Sequence, residues 1–219
     1  MKLLLNCLKN KNNKIRKPYG YSAPSFLNDF LMNLEQIKRE FTDYKLMNNS
    51  AGCAIDELSS AQEELNNDKK WESLILFGYG YSNEKLKKDF PLLFQHINKH
   101  DDVINLVMFS TTKSGKVIPP HKGNNHGVLR LQIGIDIKET EKCFLRVEDH
   151  KVFLKEKEIF IFDDTFEHQL INGSDYDRTV LIIDYLKPLP TLYSFMNRIY
   201  IRKIKRSNYV QNTLHKILN

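Results

Sequence analysis

Several common protein classes are excluded by what this chain lacks. Its 219 residues include three scattered cysteines, Cys7, Cys53 and Cys143, an odd set that spells out neither a disulfide framework nor a thiolate metal site. Such thiols predict a reducing compartment, and the expected location is the cytoplasm. No apolar run approaches the ~18 residues that span a bilayer. The short apolar run after Lys2 is too brief for a secretory core. Gly78-Tyr79-Gly80 lacks the lysine and the helix-opening pattern of a phosphate loop, so it reads as a turn. Acidic residues run out as well. None follows Asp184, whereas Lys187, Arg198, Arg202, Lys203, Lys205, Arg206 and Lys216 supply seven positive charges. With those seven set aside, 26 basic residues face 27 acidic ones. The net charge of +6 therefore belongs to the tail, which argues against nucleic acid as a partner of the body.

What remains is an ordinary globular composition, 41% hydrophobic and 27% charged, in a chain long enough for one generous domain with appendages. Residues 1–20, rich in Lys and Asn, read as a loosely held lead-in. From Ser25, the positions Leu27, Phe30, Leu31, Leu34, Ile37 and Phe41 recur at helical spacing, predicting one helix to about Tyr44. Ala54 to Asn66 predicts a weaker helix, Trp71 to Tyr79 a strand, and Lys85 to His100 a helix interrupted at Pro91. From Val103 the period changes. Val103–Phe109, Val128–Ile137, Cys143–Val147, Ile159–Phe162, Gln169–Ile171 and Thr179–Tyr185 are short β-type runs with no crossover helices between them. They predict a mainly β fold with flanking helices, built as an antiparallel sandwich or barrel. The organisation read from these patterns is a lead-in and helix over 1–53, a β domain over 54–188 and a basic amphipathic helical tail over 189–219.

One strand is unusually legible. Leu129, Leu131, Ile133, Ile135 and Ile137 form an aliphatic face, against Val128, Arg130, Gln132, Gly134 and Asp136 on the other. If that second face meets solvent, Arg130 needs no explanation. If it lines a cavity, Arg130 and Gln132 face a ligand and Gly134 leaves it room.

The chemistry concentrates in two segments. Pro119-Pro120-His121-Lys122-Gly123 is followed by Arg130, and Phe162-Asp163-Asp164-Thr165-Phe166-Glu167-His168 is followed by Arg178. Two imidazoles and two guanidiniums within predicted β structure suit a metal-dependent oxygenase that also binds a dicarboxylic acid. Ferrous oxygenases keep coordination positions open for co-substrate and oxygen, so the protein supplies only two or three ligands, commonly two His and a carboxylate. The usual carboxylate position, two residues after the first His, is Gly123. Asp163 or Asp164 completes the set, or only two protein ligands exist. His126 and His150 lack such surroundings and read as exposed loop residues, and Cys143 as a buried strand residue.

These segments, together with Ser110, Ser114-Gly115, Gly127-Val128-Leu129-Arg130, Arg178-Thr179-Val180-Leu181 and the entry strand Trp71-Glu72-Ser73-Leu74, resemble the aspartyl/asparaginyl β-hydroxylase family. That family also includes lipid A acyl-chain hydroxylases. The resemblance covers roughly Ala54 to Pro188. It implies a double-stranded β-helix, jelly-roll or cupin-like, that binds Fe(II) through only two histidines, with glycine at the usual carboxylate position as a family trait. Carried over, His121 and His168 would ligate iron. Arg178 and Ser110 would hold the distal carboxylate of 2-oxoglutarate. Asp164 would orient an iron-bound water, and Arg130 would face the primary substrate or the 1-carboxylate. One position departs: the family's Arg-x-His reads Arg130-Leu131-Gln132 here. Gln132 can still donate a hydrogen bond to a carboxylate.

The expected activity is hydroxylation of the β-carbon of an aspartyl or asparaginyl group in a peptide, protein or carrier-bound amino acid. One rival is a lipid or fatty-acyl hydroxylase at a membrane surface. The other is an inactive β-helix that only binds, kept alive by Gln132. The tail bears on the first rival. Leu192, Phe195, Met196, Ile199 and Tyr200 form a helical stripe among Arg198, Arg202, Lys203, Lys205 and Arg206. Such a helix over 192–206 can make peripheral contact with an anionic membrane, or it can bury its stripe on the barrel or a second subunit. The plainer expectation is burial, because the stripe carries two aromatic residues.

Overall fold

Asn33 splits the helical period at the start of the chain, and two consecutive helices form: α1 (Leu27–Met32) and α2 (Leu34–Asn48). The computed structural model describes Asn6 and residues 17–58, 60–208 and 210–212, so most of the predicted lead-in, with Cys7, lies outside the described residues. A short α3 (Ile55–Leu58) and a 3-10 turn over Ser60–Leu65 take the place of the second predicted helix. Pro91 does not interrupt a helix but opens one: α4 spans Pro91–Lys99, with proline in the first turn, where its missing N–H costs nothing. The next two N–H groups, of Leu92 and Leu93, donate to the buried Glu40 carboxylate (2.9 and 3.4 Å), which ties α4 to α2.

Among the described residues, eleven strands form, three before the change of period at Val103 and eight after it: β1 (Cys53–Ala54), β2 (Trp71–Gly78), β3 (Tyr81–Ser82), β4 (Ile104–Thr112), β5 (Val117–His121), β6 (Val128–Asp136), β7 (Cys143–Val147), β8 (His150–Val152), β9 (Ile159–Phe162), β10 (His168–Asn172) and β11 (Arg178–Leu186). The larger sheet runs β1-β2-β4-β11-β6-β9, with β3 on β2; the smaller runs β5-β10-β7-β8. Every pairing is antiparallel. Gly78-Tyr79-Gly80 is indeed a turn, with both Tyr79 and Gly80 at positive φ in the β2–β3 hairpin.

The two faces of the larger sheet have different partners. Leu129, Leu131, Ile133 and Ile135 of β6 and Leu181, Ile183 and Tyr185 of β11 pack outward against Phe30, Ile37 and Phe41 of α1 and α2 and against Leu93 and Ile97 of α4. Each fully buried side chain of this kind contributes about 1.5–3 kcal/mol. The opposite face looks at the smaller sheet. There Trp71 and Phe162 meet Ile118, Leu145, Val147 and Leu170, while Met108, Val180 and Ile182 meet Cys143 and Leu154. By strand alternation, Arg130 and Gln132 share this inner face with Arg178, Val180, Ile182 and Asp184. The polar face of β6 therefore lines the interior of a two-layer sandwich.

Candidate metal centre

His121 ends β5 and His168 begins β10, and the two residues are direct register partners across the smaller sheet. That pairing brings the rings together, with centroids 4.1 Å apart and planes at 52°. Each Nδ1 is engaged by a carbonyl two residues earlier: His121 with Pro119 at 2.8 Å, His168 with Phe166 at 3.0 Å. When Nδ1 carries the proton for that bond, Nε2 is left with a free lone pair, the arrangement a metal-binding imidazole needs. Both side chains are kept in the neutral form. Burial lowers the His121 pKa, and burial followed by the neighbouring His121 pushes His168 down to about 3. No group of three or more His, Cys, Asp or Glu side chains with metal-binding geometry occurs among the described residues.

The two aspartates of the second segment have separate tasks. Asp163 is spent on structure. Its Oδ1 accepts from the Thr165 N–H (3.2 Å) and hydroxyl (2.6 Å), and its Oδ2 accepts from Lys187 Nζ at 2.6 Å. The Asp163 and Lys187 side chains are 0% and 1% exposed, a fully buried ion pair. Asp164 turns toward Gly123 and Arg130 instead. Its main-chain oxygen accepts from the Gly123 N–H at 2.7 Å, and its carboxylate fills the space next to that glycine. A Cβ at position 123 would stand 2.3 Å from Asp164 Oδ2 and 2.4 Å from Cγ. The glycine two residues after His121 is thus required for room, which the Asp164 carboxylate of the β9–β10 turn takes up. Gly123→Ala must displace the Asp164 side chain, at a cost of about 1–3 kcal/mol typical of overpacking. A lower urea midpoint at unchanged slope is the expected reading.

Asp164 Oδ2 lies 3.3 Å from Arg130 Nη2, while its Oδ1 is buried with no hydrogen-bond partner. Burial raises the Asp164 pKa against the opposing pull of Arg130. Arg130 does not project toward open space. Its Nε and Nη2 donate to both carboxylate oxygens of Asp184, each at 2.8 Å. Asp184 holds Arg130 in a bidentate grip across the register pair.

Farther along the inner face stands Arg178, 3% exposed. Its one side-chain contact among the described residues is a long one, 3.5 Å from Nη2 to Gln132 Oε1, and no carboxylate pairs with it. Burial lowers its pKa to about 10. Ser110 sits on the adjacent strand, two residues before Thr112, the register partner of Arg178. Its Oγ accepts from Trp71 Nε1 at 2.9 Å, so its own proton is free for another acceptor. The seven candidate residues of the sequence reading lie on the two sheets or the β9–β10 turn: His121 beside His168, Asp164 beside Arg130, and Gln132 beside Arg178, with Ser110 on the neighbouring strand.

Three details depart from expectation. Gly134 makes room for main chain, since a Cβ there would meet Lys155 O at 2.1 Å. In the turn Asn172-Gly173-Ser174, Asn172 and Ser174 are buried. Asn172 Nδ2 donates to the carbonyls of Thr112, Lys113 and Tyr176, and Oδ1 accepts from Ser174. His126 is half-buried, whereas His150 is exposed and stacks on Tyr19 with centroids 4.5 Å apart. The tail helix α5 (Thr191–Lys205) docks through a side centred on Asn197, which takes in Tyr200 of the predicted stripe but leaves Leu192 and Phe195 exposed.

Comparison with known proteins gives one family. The model for aspartyl/asparaginyl beta-hydroxylase matches residues 32–188. The ornithine lipid ester-linked acyl 2-hydroxylase of Rhizobium tropici is 31% identical over 153 residues, which is 69% of this chain and 54% of that protein. The aspartyl/asparaginyl beta-hydroxylase of Mus musculus is 24% identical over 162 residues, 70% of this chain and 22% of that protein. This chain thus spans about half the length of the first relative and about a fifth of the second. Among solved structures, the Cupin_2 domain of an XRE family transcriptional regulator from Enterobacter cloacae aligns at 12% identity over 54% of this chain and 99% of that one, with a TM-score of 0.38.

Proposed function

Because the chain belongs to the aspartyl/asparaginyl β-hydroxylase family, we propose that it is an Fe(II)- and 2-oxoglutarate-dependent hydroxylase. The observation that carries this reading is Arg178, a buried guanidinium with no carboxylate among the described residues, on the sheet that faces a pair of histidines whose Nδ1 atoms are engaged by carbonyls. An unpaired buried cation is costly and is retained where an anion completes it. The donor set also fits ferrous iron. His121 and His168 would hold the metal as neutral ligands, and the absence of a third protein ligand among the described residues leaves positions for co-substrate and oxygen.

Bound iron and 2-oxoglutarate supply the oxidation: oxygen is consumed, the 2-oxo acid becomes succinate and CO2, and a substrate C–H becomes C–OH. The protein's part is ligation, orientation and exclusion of water. Arg178 would take the distal carboxylate in a bidentate grip, with the Ser110 hydroxyl donating alongside. Asp164 Oδ1 would accept a hydrogen bond from a water beside the metal, which is the partner that this orphaned oxygen lacks. Arg130, fixed by Asp184, would hold Asp164 in that attitude and leave its remaining donors toward the site mouth.

Purified protein with ferrous iron should convert 2-oxoglutarate to succinate. Arg178→Ala should weaken apparent 2-oxoglutarate affinity by about 30- to 1000-fold, on the order of 2–4 kcal/mol for a lost charge-assisted pair. Arg178→Lys should restore only part, because the planar fork is missing. Unchanged affinity in the alanine variant would make Arg178 structural. Gln132→His should fold and raise substrate-coupled turnover, since the side chain lies next to Arg178 and restores the family residue. Absence of succinate from both wild type and Gln132→His would favour a binding module. Two substrate classes accompany the reading. One is the β-carbon of an aspartyl or asparaginyl group in a peptide, protein or carrier-bound amino acid. The other is the acyl chain of a lipid, favoured by the higher identity to the ornithine lipid hydroxylase.

A further inference from the structure

We propose that the outward face of α5 docks on an anionic lipid membrane, bringing the metal end of the sandwich to the bilayer and making membrane lipid the source of substrate. What is hydroxylated there rests on the hydroxylase reading; the docking itself does not.

One side of α5 is occupied by the body of the protein. Asn197 Nδ2 donates to Gly127 O at 2.7 Å, and Gly127 carries no side chain because Asn197, Tyr200 and Ile201 close over it. Arg198 Nη1 donates to Asp102 O at 2.9 Å, and Lys205 Nζ stands 4.4 Å from the centre of the Tyr81 ring. These anchors cap the start of β6, the residues before β4 and the β2–β3 turn. All lie at the end of the larger sheet where Arg130 and Asp184 sit, and Gly127 is six residues after His121. The helix therefore flanks the same end of the sandwich as the candidate metal centre.

At about 100° per residue, the opposite side presents Leu192, Phe195, Ile199, Arg202, Lys203 and Arg206. Leu192 is 65% exposed and Phe195 63%, and the three basic residues are exposed as well. This face is divided along its length. Its first half carries large apolar side chains and its second half carries bases, with the centres of the two halves roughly 12 Å apart at 1.5 Å per residue. No acidic residue lies on α5 or after it to neutralise them. A membrane surface rich in anionic headgroups matches both halves: the apolar side chains enter the interface while the bases stay among the phosphates. A second copy of this chain fits poorly, since pairing this face would bring six bare positive charges into one interface.

The test is sedimentation of the full chain, without iron or 2-oxoglutarate, with vesicles of phosphatidylcholine alone or mixed with phosphatidylglycerol. The expected result is binding to the anionic vesicles only, lost at high salt. The triple variant Arg202→Glu, Lys203→Glu, Arg206→Glu should weaken binding about a hundredfold or more, at roughly fivefold per lost charge. Leu192→Ser with Phe195→Ser should weaken it about tenfold. Both variants should keep wild-type conversion of 2-oxoglutarate without substrate. Vesicle binding in a protein that makes no succinate would support the docking and overturn only the hydroxylase reading. No binding of the wild type to anionic vesicles at low salt overturns the proposal. So does equal binding to neutral vesicles, or a solution dimer that Leu192→Ser with Phe195→Ser dissolves.

Discussion

His121→Ala and His168→Ala should each abolish succinate formation and lower affinity for ferrous iron by more than ~100-fold, the upper end of what loss of an outer hydrogen-bond partner costs a metal site. The reason is number. With two imidazoles and no third ligand among the described residues, removal of either leaves a single protein donor. Unfolding should stay cooperative, because the surrounding ladder from β5 through β10 to β7 does not depend on either ring for its main-chain bonds. Calorimetric titration with ferrous iron, paired with urea unfolding of the metal-free proteins, separates the two effects. Wild-type iron affinity in both variants would remove the metal assignment altogether.

The largest effect on stability should come from a residue outside the ring pair. Lys187→Met leaves the Asp163 carboxylate, itself 0% exposed, with only Thr165 as a partner. Breaking a buried pair in this way costs about 3–5 kcal/mol, because the surviving charge cannot reach water. The double variant Asp163→Asn with Lys187→Met should recover most of the loss. Urea midpoints of the three proteins check this, and equal midpoints for the single variant and wild type would show that the pair contributes nothing. Iron affinity should fall with the single variant as well. Asp163 organises the turn through Thr165 that delivers Asp164 and His168, so loosening it moves both.

Much of this was readable because certain residues act locally. The alternation of β6 identified which side chains share a face, and the inner position of Arg130 and Gln132 follows from the same pattern that buries Leu131 and Ile133. The histidine segments were readable by kind and spacing. Three features were not. β5 escaped notice because Pro119 and Pro120 lack ladder donors; it is an edge strand of the smaller sheet, where prolines are tolerated. Lys187 was counted with the basic tail, and its burial against Asp163 depends on a contact between β11 and the β9–β10 turn that no local pattern encodes. The side on which α5 docks could not be read from its apolar stripe, because a polar residue, Asn197, and a bare glycine, Gly127, form the seat. The partner of Arg130 was hidden for the same reason, since Asp184 lies one strand away.

The strand order of the larger sheet has a bearing on how the chain is made. β11 is the last strand in sequence, yet it lies between β4 and β6, pairing with both along nearly its whole length. During synthesis, both neighbours therefore emerge with unpaired inner edges and wait for the same nine residues to arrive. Such contacts between distant segments slow folding, and waiting edges invite pairing with other chains. Arg178 and Asp184 come in on that strand. The buried Arg178 guanidinium and the carboxylate that fixes Arg130 are thus absent from every nascent form of the protein until its centre is threaded, and no partly made chain carries the complete proposed site.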